Sequence, residues 1–92
     1  MADPDHVSVL TYLAMNHDER ILKVDTVRAY YVGTKLLVEL DIVLPKVMTL
    51  EMAHDIGEGL QHVLERQDFV ERAFVHLDTE FEHRSSDEHR VR

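Results

Sequence analysis

Ninety-two residues, 45% of them apolar, suffice for one small domain with a single core, near the size at which a chain folds alone only marginally. The absence of cysteine excludes a disulfide framework and a thiolate zinc site, and leaves His, Asp and Glu as the metal ligands available. A net charge of −8, with His neutral, repels nucleic-acid phosphates and anionic lipid headgroups and attracts divalent cations, so nucleic-acid binding is not expected.

Residues 1–6 contain Pro4 and two Asp and read as a leader or linker, with Asp5 a candidate cap for the helix that follows. Over 7–16, Val9, Leu10, Leu13 and Ala14 recur at helical spacing and predict a short amphipathic helix. The run 22–32, rich in Val, Thr, Ala and Tyr, predicts a strand whose weak alternation leaves its facing undecided. Gly33 and Thr34 then turn the chain into a second strand, 35–44, completing a β-hairpin. Here the period of two is clean, with Leu36, Val38, Leu40, Ile42 and Leu44 on one face and Glu39 and Asp41 on the other. Pro45, without an N–H to donate, ends it.

Thr49 is the expected N-cap of a helix over 50–66, in which Leu50, Ala53, Ile56, Leu60, Val63 and Leu64 follow the 3.6-residue period. Gly57 and Gly59 inside it predict close packing against the sheet, and His54, Glu58, Gln61, His62 and Glu65 fall on its outer face. A last strand over 72–82 turns Ala73, Val75, Leu77, Thr79 and Phe81 one way and Phe74, His76, Asp78 and Glu80 the other. From His83 onward the chain has almost no apolar content and is expected to be disordered.

The order α-β-β-α-β predicts an α+β, ferredoxin-like or metallochaperone-like fold, with two helices on one face of a three-stranded sheet and a right-handed crossover into the last strand. The domain should span residues 7–82. The longest apolar run, 35–44, is broken by Glu39 and Asp41 and is far shorter than the roughly 20 residues that span a bilayer. The N-terminus also lacks the pattern of a signal peptide, so a soluble fragment that does not insert into membranes is expected.

Alternation places Asp41, His76 and Asp78 together on the sheet face that the helices leave uncovered. Asp25 joins them if its end of the first strand lies beside theirs. Carboxylate oxygen with imidazole nitrogen suits manganese and also holds zinc. An Asp on an exposed strand is ordinarily just solvated, and His54, Glu58 and His62, at i, i+4 and i+8, look alike whether they bind metal or merely face water. No nucleophile elbow, phosphate loop or metalloprotease helix is present, so an enzyme is not expected.

The blocks D-T-V-R-A-Y, D-I-V-L-P, A-H-D-I-G-E and R-A-F-V-H-L-D, in this order between about Leu10 and His83, resemble the cytosolic C-terminal domain of cation diffusion facilitator transporters. Within that family they look most like the metal tolerance proteins associated with manganese. The resemblance implies a domain on the cytosolic side of a membrane, following the last transmembrane helix of a proton-coupled exporter. It also implies a V-shaped homodimer whose separation responds to metal held between the copies. Carried over by position, the family's ligands fall on Asp25, Asp41, His54, His76 and Asp78. Zinc-transporting members resemble a pattern with His where Asp25 and Asp41 stand here, which favours manganese. Two other readings remain: a dimerisation module without a specific metal site, and a small-molecule-binding regulatory domain of the same fold.

Overall fold

The computed structural model describes residues 2–80. Helix α1 (Pro4–Met15), strands β1 (Lys23–Val32) and β2 (Lys35–Leu44), helix α2 (Leu50–Glu65) and strand β3 (Val70–Thr79) follow one another in the expected order. The sheet runs β1-β2-β3, with β1 antiparallel and β3 parallel to β2. This is the ferredoxin-like arrangement. Phe81 and the tail from His83 lie outside the described residues.

β2 is the central strand and carries the core. Leu36, Val38, Leu40, Ile42 and Leu44 are all buried, facing Leu10 and Ala14 of α1, Ile56, Leu60 and Leu64 of α2, and Val70 and Ala73 of β3. The β1–β2 turn needs positive φ at its first central residue, which Gly33 supplies at φ 70° while Thr34 does not, the pattern of a type II′ hairpin. Thr49 caps α2 as expected, its hydroxyl accepting from the Met52 N–H at 3.2 Å.

Several expectations are corrected. α1 starts earlier than position 7: Pro4, Asp5 and His6 form its first turn, and the cap is Asp3, whose carboxylate accepts from the Asp5 N–H at 2.8 Å. With no N–H to lose, Pro4 suits the first helical position and so makes its predecessor the cap. β3 starts at Val70, two residues ahead of the expected Arg72. Gly57 does pack on the sheet, since a Cβ there would lie 2.9 Å from Leu77 Cδ2, but Gly59 instead faces His17 Nε2, 3.1 Å from where its Cβ would be. Glu65 turns off the outer face of α2 toward β3, accepting from the Ala73 N–H at 3.1 Å and approaching Arg72 Nε at 3.6 Å. On the sheet face that the helices leave uncovered, Val43 is 4% exposed and Leu37 half-buried, while Phe74 is exposed.

Between α1 and β1, Asp18 is chelated by Arg20. One carboxylate oxygen accepts from the Arg20 backbone N–H and Nε, both at 2.9 Å, and the other from Nη2 at 2.8 Å. The guanidinium hydrogen bonds come first among the causes that hold the Asp18 carboxyl down at about 2, and the backbone N–H adds to them. Because the folded value lies below the roughly 4 of a free Asp, the contribution to stability is complete above about 4 and is lost as pH falls toward about 2. A carboxyl-carbon NMR titration should find the Asp18 midpoint near 2 and see it return toward about 4 in Arg20→Gln. Equal midpoints in the two proteins would mean that the chelate does not form in solution.

Candidate metal centre

Alternation along β2 turns Leu37, Glu39, Asp41 and Val43 away from the helices, and the register assigns their neighbours. His76 of β3 lies beside Asp41, Asp78 beside Val43, and Phe74 beside Glu39. On the other side, Thr26 pairs with Asp41 and Arg28 with Glu39. The pairing steps from Val24 to Thr26, so Asp25 is the additional residue of a β-bulge opposite the Ile42–Asp41 step. Its carboxylate lies 3.5 Å from Lys23 Nζ, and Lys23 pairs with Val43, a residue of the outward face. Asp25 therefore belongs to the same face and the same end as Asp41, His76 and Asp78.

This face divides in two along the strands. Toward the Gly33 turn it is cationic and aromatic: the Tyr30 hydroxyl donates to Glu39 Oε2 at 3.4 Å, and the Arg72 guanidinium sits 5.2 Å from the centre of the Phe74 ring. Toward the far end it carries Asp25, Asp41, His76 and Asp78, with Lys23 among them. Asp25 and His76 are exposed, Asp41 and Asp78 half-buried.

Geometry limits what one copy can do with this row. Neighbouring strands stand about 4.8 Å apart, so Asp41 lies within reach of His76 on one side and of the bulge on the other. β1 and β3 are roughly 10 Å apart across it. Donors to one ion, each about 2.0–2.6 Å from it, lie within about 5 Å of each other. Neighbours in the row can share an ion, whereas its two ends cannot. Accordingly, among the described residues no three His, Asp or Glu side chains converge tightly enough to hold a metal within a single copy.

His54 stands apart from the other four. It lies on α2, across the sheet from the row, with its side chain 67% exposed and Nδ1 3.8 Å from the Asp55 carboxylate. It lines a shallow cleft of about 170 Å³ with Glu58, Gln61, His62, Val75 and Leu77, along the β3 edge. The structure thus gathers Asp25, Asp41, His76 and Asp78 and leaves His54 on a second surface. The sequence alone does not mark Lys23, because a lysine opening a strand looks like any solvated charge. Its i, i+2 spacing from Asp25 was the available signal.

The candidate donors are carboxylate oxygens and imidazole nitrogen, a set whose chemistry fits manganese or zinc. A ferredoxin-like domain with such a row on its open sheet face is of the metallochaperone-like class. The profile for the cytoplasmic domain of cation efflux proteins matches residues 2–80, and the chain belongs to that family. Among its relatives, "Metal tolerance protein 5" of Oryza sativa subsp. japonica is 57% identical over 83 residues, covering 90% of this chain and 20% of that protein. "Metal tolerance protein 11" of Arabidopsis thaliana is 54% identical over 83 residues, covering 90% of this chain and 21% of the relative. The chain therefore spans about a fifth of the length of these relatives.

Among solved structures, a MamM CTD variant superposes with a TM-score of 0.78 at 20% identity, covering 85% of this chain and 98% of that one. Another, described as a manganese form, gives 0.74 at 24% identity, covering 82% and 95%. At these identities the likeness is one of fold. None of the described helices is long and apolar enough to cross a bilayer.

Proposed function

We propose that this chain is the metal-sensing and dimerisation domain of a proton-coupled divalent-cation exporter, joined to that exporter's transmembrane domain and working as a homodimer. Manganese is the ion the site is tuned to, and zinc occupies the same donors. The observation that carries this reading is the adjacent pair of Asp41 and His76, flanked by the bulged Asp25 and by Asp78, on a sheet face that no helix covers. One copy offers two adjacent donors at a time, and a second copy facing it completes the shell. Metal then favours the closed pair by its greater affinity for that arrangement. Support also comes from the relatives, which are called metal tolerance proteins, and from the manganese and nickel forms of the MamM CTD. His54, beside Glu58 and His62, is a ligand of a separate peripheral position.

Carboxylate oxygen in place of imidazole at Asp25 and Asp41 lowers the site's preference for zinc, although N/O sites in general bind zinc more tightly than manganese. The single-copy geometry favours a second reading, a dimerisation module with no specific metal site.

Light scattering at low micromolar concentration, with manganese and with EDTA, separates the two. The expected result is a dimer whose thermal midpoint rises with manganese, by about 2.7 kcal/mol of stabilisation when free metal is 100 times Kd. A dimer indifferent to metal would leave only the second reading, and a monomer under both conditions would remove both.

A further inference from the structure

Lys23 Nζ lies 3.5 Å from Asp25 Oδ1 at the acidic end of the open face, beside the oxygens that a divalent cation at Asp25 would use. The ladder register puts the two side chains there. Lys23 pairs with Val43, and the bulge then adds Asp25 before pairing resumes at Thr26 opposite Asp41. Both side chains are partly exposed, 53% for Lys23 and 30% for Asp25, so the ammonium can leave without opening the core. We propose that Lys23 acts as a resident counter-cation that raises the metal threshold of this site: it competes with an incoming divalent ion for the Asp25 carboxylate and repels an ion held there. The inference rests on the metal-site reading above and adds to it a residue that tunes affinity without being a ligand.

Two effects act in the same direction. The ion pair at Asp25 competes directly for the carboxylate. An ion about 2 Å from that oxygen would also lie within roughly 6 Å of an ammonium left in place, close enough for repulsion to act through physiological salt. Together they should weaken divalent binding on the order of threefold to tenfold relative to a neutral side chain at position 23, an effect that shrinks as ionic strength rises. An exposed pair of this kind adds little to fold stability. Its removal therefore changes metal affinity without a matching change in the metal-free thermal midpoint.

The test is calorimetric titration of the whole chain with manganese chloride at low and high salt, using wild type, Lys23→Met, Lys23→Arg and Asp25→Asn. Lys23→Met is expected to bind manganese roughly threefold to tenfold more tightly, with a flatter salt dependence. Lys23→Arg should keep the wild-type affinity, and Asp25→Asn should bind more weakly. If Asp25→Asn weakens binding but Lys23→Met leaves it unchanged or weaker, the counter-cation role is overturned while the site stands. If Asp25→Asn binds as wild type does, the ion is not held at Asp25, and the site reading falls there along with this inference. As an independent readout, the Lys23 ammonium resonance should shift when zinc is added to the wild type, and a resonance that stays put would also overturn the role.

Discussion

Asp41→Ala is expected to reduce manganese affinity by about 100-fold or more, the largest loss among the candidate ligands. The reason is position. Asp41 is the one member of the row with neighbours on both sides, His76 across one ladder and the Asp25–Thr26 bulge across the other. Without it, Asp25 and His76 are left about 10 Å apart and cannot share an ion. Outer-shell partners alone are worth about 10- to 100-fold in metal affinity, which sets a floor for a central donor. Without metal the same variant should keep its thermal midpoint to within about 0.5 kcal/mol, as expected of a surface substitution. His54→Ala, on the other surface, should leave the main binding event unchanged. Titration calorimetry on the two variants decides the matter, and equal losses would mean that the donors do not act from the sheet row.

Leu60→Ala is expected to cost about 3 kcal/mol, the toll of emptying a fully enclosed leucine site. Leu60 has no solvent exposure and stands one turn from both Ile56 and Leu64, where α2 meets the leucines of β2. For a chain of this size the whole stability lies toward the lower part of the roughly 5–15 kcal/mol range. A single vacancy therefore takes a large share of it. The thermal midpoint in EDTA, followed by circular dichroism, should fall by roughly 15 °C. Leu50→Ala, at a position 82% exposed, should change it little. A loss below about 1 kcal/mol for Leu60→Ala would contradict the packing of α2 on the sheet.

Where the apolar pattern keeps a strict period, the elements start where the sequence puts them, although Leu50 at the head of α2 is 82% exposed. β2 runs from Lys35 to Leu44 as its alternation requires, and α2 starts at Leu50 because Thr49 caps it. Agreement fails where the ladder gains a residue. In β1 the inward residues Val24 and Val27 are three apart, and in β3 so are Val70 and Ala73. Both steps break a period of two, and both coincide with a register shift, at Asp25 and at Glu71. A bulge is invisible to a reading based on alternation. For that reason alternation leaves the facing of Asp25 undecided and places the start of β3 two residues late. Asp41, His76 and Asp78 were legible because their strands alternate cleanly at that end. Four of the five candidate ligands do share a surface, while His54, legible from its i, i+4 spacing with Glu58, sits where the helical period places it, on the other side of the sheet.

His6 stacks on Phe69, ring centres 4.0 Å apart and planes within 3°, while its Nδ1 is buried without a hydrogen-bond partner. The stack clamps the first turn of α1 onto the loop that leads into β3, the strand bearing His76 and Asp78.

The bulge at Asp25 has a consequence for how this domain tolerates changes of length. Excising that one residue would join Val24, paired with Ile42, to Thr26, paired with Asp41, and leave a regular antiparallel ladder. Val24 and Val27 would keep their places in the core, whereas deletion elsewhere in a strand would turn its apolar set outward. The backbone thus carries Asp25 as a detachable unit: a chain one residue shorter is expected to keep the register on both sides of the bulge and to lose the carboxylate and its ion pair with Lys23.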